Sequence, residues 1–173
     1  MERKQVGYGE MEASNSIELR PVTTADLDRA NAVVEAAIWT WGLPDRVKRL
    51  SLPSYRYNAD DLNHFTLIGA WDSAEAIVGI AAWESAIASE TPNGARGLLM
   101  HGIYVVPDFH RKGVGTRLLN AAIDAVNLGE FDGLLVKANP NARAFFTSLG
   151  LQQLPIEDTR SLSDLTRGSR ILG

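Results

Sequence analysis

Ten residues, Pro107 to Thr116 (PDFHRKGVGT), gather the features of an anion site between an apolar extended run and a periodic apolar stretch. Gly113 and Gly115 remove side chains where a backbone must approach a ligand, and the first N–H groups of a helix opened there have no partner inside it. The helix dipole places partial positive charge at the same end, and Arg111 and Lys112 add to it. A phosphate or pyrophosphate suits such a turn. Two standard phosphate loops do not fit: Leu118 stands at the third glycine of a G-x-G-x-x-G fingerprint, and no G-x-x-x-x-G-K-[ST] run exists. Taken alone, the stretch equally describes a strand-to-helix turn with solvated cations, so the rest of the chain must decide.

With 173 residues, 45% of them hydrophobic, the chain can bury one substantial core and is short for two. A net charge of −4 and a pI near 5.4 argue against nucleic acid or an anionic membrane as the main partner. The absence of cysteine excludes a disulfide framework, a thiolate metal site and a cysteine nucleophile. No metal is expected. The polar start MERKQVGYGEMEASNS lacks the apolar core of a signal peptide, and no run reaches the ~18 apolar residues of a membrane span. A soluble cytoplasmic protein is expected, with a flexible tail over residues 1–15 and one domain over 16–173.

The elements that must position the turn follow from periodicity. SIELRPV (16–22) alternates as a strand, and TTADLDRANAVVEAAIW (23–39) has a helix start signal followed by Leu27, Ala30, Val33, Val34 and Ala37 on one face. Pro44 suits the first turn of a short helix, and Pro53 predicts a connecting loop. HFTLIGAW (64–71), AIVGIAAWESAIA (76–88) and RGLLMHGIYVV (96–106) predict three successive antiparallel strands joined by DSAE and ETPNGA. Val114, Leu118, Leu119, Ala122 and Val126 mark the next helix, with Gly129 beyond its end. GLLVKA (133–138) reads as a buried strand, NARAFFTSLG (141–150) as a helix, and LQQLPI (151–156) with SRIL (169–172) as a last strand pair.

Two stretches resemble the motifs of one family. YVVPDFHRKGVGTRLL (104–119) is similar to the acyl-CoA-binding motif of the general-control-related N-acetyltransferase (GNAT) superfamily, which runs strand, Val-x-Pro, Arg or Gln, two residues, Gly-x-Gly or Gly-x-Ala, helix. NPNARAFFTSLGL (139–151) resembles the family's later motif, in which an Asn follows a strand and a helix ends in a Gly-Phe-like pair. Asn139, Ala142, Gly150 and Leu151 fit it without a gap, and with the element order the resemblance covers residues 17 to about 155.

The resemblance implies an α+β fold: a mostly antiparallel twisted sheet flanked by helices, with two parallel strands (98–106 and 133–138) splayed at the cofactor cleft. It implies acetyl-CoA as co-substrate, its pantetheine arm beside Tyr104 and Val105 and a bulge near Val105. The pyrophosphate would sit on the N–H groups from Arg111 through Lys112, Gly113, Val114 and Gly115 to Thr116, with His110, Asn139 and Phe146 also at the cofactor. His110 stands where the family has Arg or Gln, and Arg111 where glycine is frequent, so the charge moves by one residue. Phe146 stands where many members carry a tyrosine that protonates the departing thiolate. A thiol pKa of ~8.5 leaves that thiolate a tolerable leaving group without it.

An alkylamine acceptor, with a pKa of ~10.4, must lose a proton before it attacks a thioester. His101 is the candidate base, four residues before Val105, as the arylalkylamine acetyltransferases of this superfamily are similar in having. Another branch uses a Glu at the position of Leu99. Glu84 is a second candidate, acting through water. Trp39, Trp41, Tyr55 and Tyr57 fall in the segment that borders the family's acceptor pocket, where rings line a site or fill a core. The acceptor is then a small-molecule or protein amine, and a homodimer is compatible with the chain. Two other classes stay open: an acyl-CoA-binding sensor or partner-binding module without turnover, and a nucleotide-binding protein using the same loop.

Overall fold

A computed structural model describes residues 16–91, 94–138, 142–153 and 169–172. The expectations for residues 1–15, Asn139 and the end of LQQLPI lie outside the described residues. The chain runs β1 (Glu18–Pro21), α1 (Leu27–Trp39), α2 (Asp45–Tyr55), β2 (Thr66–Trp71), β3 (Ile77–Ser85), β4 (Gly97–Val105), α3 (Val114–Leu128), β5 (Gly133–Ala138), α4 (Arg143–Ser148), β6 (Gln152–Gln153) and β7 (Ser169–Leu172). Together the strands form one seven-stranded sheet in the order β1-β2-β3-β4-β5-β7-β6. All neighbours are antiparallel except β4 and β5, which are parallel. This is the mixed α+β architecture expected. No helix among the described residues is long and apolar enough to cross a membrane.

Each face of the sheet is covered by the helix whose apolar stripe matches it. On α1, Ala30, Val33, Val34, Ala37 and Ile38 are buried at the 3–4 residue spacing of one helical face, and they pack with Ile80, Ala82 and Tyr104. Fully burying Val34 and Ile38 is worth about 1.5–3 kcal/mol apiece. The other face carries Ala81, Trp83, Leu98 and Met100 against Val114, Leu118, Leu119 and Ala122 of α3 and Phe146 of α4.

A capped 3-10 turn, Thr24–Asp26, leads into helix α1. The Thr23 hydroxyl donates to Asp26 Oδ2 at 2.6 Å and the Thr23 N–H to the same oxygen at 3.1 Å. Those two bonds favour the ionised carboxylate, and they hold the Asp26 carboxyl below the usual range. One polar residue lies on the buried stripe. Asn31 donates to the Tyr57 carbonyl and accepts from the Tyr57 N–H, both at 2.8 Å, and so ties α1 to the segment after α2.

Two expectations are corrected here. The chain does not leave the helix at Pro53: α2 continues through it to Tyr55, and the backbone turns extended only at Arg56 (φ −77, ψ 142). A proline in the last turn gives up one intrahelical bond just before the helix ends. The bulge expected near Val105 lies four residues earlier. Ala82 pairs with Gly102 but Trp83 pairs with Met100, which leaves His101 as the extra residue on β4. Side chains then change face, since the period of a strand is two. Leu98 and Met100 point to the α3 side before the bulge and Ile103 and Val105 after it, which sends Tyr104 to the α1 side.

Candidate active site

The bulge also marks where the two parallel strands part. β4 and β5 pair from Gly97 with Gly133 to Met100 with Val136, and no further. β5 stays in the sheet on its other side, pairing with β7 as far as Ala138. From His101 to Val105, β4 therefore has no strand partner on its β5 side among the described residues, and its end delivers the chain into the anion turn.

Phe109 N–H bonds the Val106 carbonyl and His110 N–H the Pro107 carbonyl, and the next N–H with a backbone acceptor is that of Arg117, 3.0 Å from the Gly113 carbonyl. Among the described residues, no hydrogen bond takes the N–H groups of residues 111–116. Arg111 (φ 59) and Gly113 (φ 80) adopt left-handed backbone, and this alternation with normal residues turns successive N–H groups toward a common concavity. Gly113 is the N-cap of α3 and offers no side chain to compete for those donors.

The side chains around the turn divide by task. Arg111 is exposed, and Lys112 Nζ lies 4.9 Å from the centre of the Phe109 ring. His110 is exposed, and its Nε2–H donates to the Val105 carbonyl at 2.9 Å. Val114 is buried in the core, so only its backbone faces the turn. Gly115 serves packing: a Cβ there would come 3.2 Å from the Phe145 ring of α4. Phe145 was not singled out from sequence, yet its ring meets the turn while Phe146, 3% exposed, is in the core. A hydroxyl added by Phe146→Tyr would enter that core, so the variant is expected to lose about 1–3 kcal/mol of stability and gain no turnover. Thermal melts and initial rates check both.

The bulge brings together the two residues read as alternative bases. His101 Nε2–H donates to Glu84 Oε1 at 2.7 Å, with the two side chains 26% and 31% exposed. In the neutral ring the lone pair is then on Nδ1. Phe65 lies over the imidazole with centroids 4.4 Å apart and planes tilted 35°. Neither strand alone shows this pairing, because it depends on a register that the bulge shifts.

Of the aromatic set, Tyr57 is buried, Trp41 and Tyr55 are half-buried with ring centroids 5.3 Å apart, and Trp39 is exposed beside Lys48. Tyr104 is buried with Tyr57 and lies 6.5 Å from Tyr55, so its ring belongs to this group and faces away from the anion turn. Burial pushes the phenols of Tyr57 and Tyr104 far above the usual range, with smaller contributions from Asp61 on Tyr57 and from the neighbouring phenols on Tyr104. The folded protein keeps these protons where the unfolded chain releases them at ~10, so their stabilising effect is complete below pH ~10 and is lost above it. In an ultraviolet titration the tyrosinate signal of these two residues is expected only together with alkaline unfolding. Reversible ionisation of all four tyrosines near pH ~10 without unfolding would contradict the burial.

Among the described residues no group of three His, Cys, Asp or Glu side chains is arranged to hold a metal ion. The parallel strand pair thus separates above a turn whose N–H groups find no acceptor among the described residues, with a histidine–carboxylate pair at the fork. A model of the acetyltransferase (GNAT) family matches residues 32–151, a span that holds the fork, the turn and both members of the pair. The chain belongs to the GNAT acetyltransferase family and is an acyltransferase. A search of the curated proteins finds no match.

Solved structures show the same fold at low identity. The PaiA N-acetyltransferase from Thermoplasma acidophilum, solved with coenzyme A, is 14% identical over 91% of this chain and 97% of that one, with a TM-score of 0.70. A GCN5-related N-acetyltransferase from Rhodopseudomonas palustris is 20% identical over 95% and 98%, with a TM-score of 0.68. A GNAT acetyltransferase from Brucella melitensis, solved with acetyl-CoA, is 13% identical over 91% and 96%, with a TM-score of 0.57.

Proposed function

We propose that the protein moves the acetyl group of acetyl-CoA to a primary amine by direct attack in a ternary complex, with His101 as general base. The observation that carries this is the Glu84–His101 pair at the point where β4 leaves β5. The neighbours solved with coenzyme A and acetyl-CoA support that co-substrate. Its pyrophosphate would take the free N–H groups of residues 111–116, and its pantetheine arm the unpartnered edge of β4.

The chemistry then balances with the side chains present. Nδ1 of His101 takes one proton from the ammonium form of the acceptor, the freed nitrogen bonds to the thioester carbonyl carbon and sheds its second proton to solvent, and Glu84 stabilises the imidazolium until it too returns its proton to solvent. The C–S bond breaks as the carbonyl re-forms, and the thiolate, with a thiol pKa of ~8.5, leaves and takes up a proton from solvent. No cysteine is available for an acyl-enzyme, which favours direct attack.

Incubation with acetyl-CoA and a panel of primary amines, with free thiol followed by a disulfide reagent and products by mass spectrometry, tests the proposal. Thiol release that requires the amine, matched by acetylated amine, is the expected result. Binding of acetyl-CoA with no release would leave a non-catalytic acyl-CoA module. Displacement of acetyl-CoA by ATP in a thermal-shift assay would point to a nucleotide site, since a bound ligand stabilises by mass action.

A further inference from the structure

We infer that the Tyr104 hydroxyl is a catalytic hydrogen-bond donor, placed to hold the thioester carbonyl oxygen while the amine attacks. This rests on the transferase reading above and adds to it a residue that meets the charge the attack creates. Tyr104 lies past the bulge on the α1 face of β4, opposite Ile80 and packed in one cluster with Ile80 and Ala82 of β3. Its ring folds back along the strand toward the fork: a Cβ on Gly102 would come 2.8 Å from the hydroxyl oxygen and 2.8 Å from the ring. The missing side chain of Gly102 thus makes room for the phenol beside the neighbour of His101. Glu84 stands two residues beyond Ala82 on β3 and so shares that face, and Phe65, which covers the imidazole, packs against the same cluster. Base and hydroxyl lie on one side of the sheet, where β4 parts from β5.

The fold itself makes no use of this hydroxyl. Tyr104 is 6% exposed, and a phenol so buried usually finds a hydrogen-bond partner. Among the described residues none takes it. Arg20 Nε and Trp71 Nε1 are unpartnered and sealed from solvent, whereas the Tyr104 oxygen is not sealed. Burial, with smaller contributions from Tyr57 and Tyr55, keeps the phenol protonated well above the usual range. A phenol that holds its proton so firmly is a poor acid toward a thiolate whose thiol has a pKa of ~8.5, but it can donate to an oxyanion without giving the proton up.

The step balances with no proton leaving Tyr104. As the amine nitrogen bonds to the carbonyl carbon, the carbonyl π pair moves onto oxygen, and the hydrogen bond from the hydroxyl strengthens as that charge grows. When the C–S bond breaks, the pair returns to re-form the carbonyl and the phenol is left as it began.

Tyr104→Phe separates this role from packing. The variant keeps the ring and removes an unpaired polar atom, so its melting temperature should hold or rise. Its kcat should fall at least ~10-fold, toward the ~10²- to 10³-fold typical of a lost oxyanion donor, while acetyl-CoA binding and the KM of the amine stay nearly unchanged. In infrared difference spectra with acetyl-CoA labelled at the carbonyl carbon, the bound carbonyl band should lie lower in the wild type than in the variant. Gly102→Ala should also lower kcat with the phenol still present, because a methyl group there forces the ring to move. A folded Tyr104→Phe protein within ~3-fold of the wild-type kcat, well short of one donor's contribution, or with an unmoved carbonyl band, would overturn the inference. So would a loss of rate matched by a loss of melting temperature, which marks a packing role. The transferase reading fails differently: acetyl-CoA then binds and no amine releases its thiol from the wild type, whereas amine-dependent release that Tyr104→Phe leaves intact removes this inference alone.

Discussion

Replacing His101 with glutamine is expected to lower turnover at least ~10²-fold while acetyl-CoA binding persists, because general-base assistance is typically worth ~10²- to 10⁴-fold. Glutamine keeps approximate size and can still bond Glu84, but it cannot take the amine proton. Unfolding does not explain such a loss: a pair with 26% and 31% of its side chains exposed contributes ~1 kcal/mol or less to stability. Glu84→Gln should cost less, since it removes the charge that supports the imidazolium and leaves the lone pair in place. Turnover within ~3-fold of wild type in a folded His101→Gln, far short of a base's contribution, would remove His101 from the mechanism.

Thr116→Glu separates the anion turn from the fold that carries it. Residue 116 is the third position of α3, where a carboxylate reaches back to the unpaired N–H groups and favours the helix. Melting temperature should therefore hold or rise. The same carboxylate would occupy the donors a pyrophosphate needs and repel its charge, so acetyl-CoA affinity should fall at least ~10-fold, or ~1.4 kcal/mol. The loss should be read at fixed ionic strength, because added salt screens the repulsion. Gly115 is less informative, since a side chain there also meets Phe145. Unchanged affinity in a stable Thr116→Glu protein would mean that the phosphates bind elsewhere.

Most of the element order was legible because each segment carries its own period. The helix stripe from Ala30 to Ile38 and the run from Val114 to Ala122 need no tertiary information. Pro53 misled because a proline signals a boundary only to within a turn. The bulge left a mark that could have been read: Leu98, Met100, Ile103 and Val105 break the two-residue alternation between Met100 and Ile103, with Gly102 inside the break. Asn31 was likewise visible as a polar residue on an apolar stripe. Illegible were the contacts across strands and loops. Glu84 meets His101 only through the shifted β3–β4 register, and Phe65 reaches the imidazole from just before β2, in a stretch whose own sequence says nothing of β4.

The separation of β4 from β5 also divides the protein mechanically. Among the described residues, four residue pairs, 97–100 against 133–136, form the ladder between the ribbon β1–β4 and the trio β5, β7 and β6, with the Asp132 N–H bonding the Arg96 carbonyl just beyond it. A sheet joined along so short a seam has a natural place to breathe, because opening it breaks few hydrogen bonds while each half keeps its own. Amide protons of residues 101–105 that face the gap should exchange with solvent on a faster clock than those on the β3 side of the same strand. A ligand laid along the gap would act as a stitch, slowing exchange on both sides at once and making two separately opening units into one.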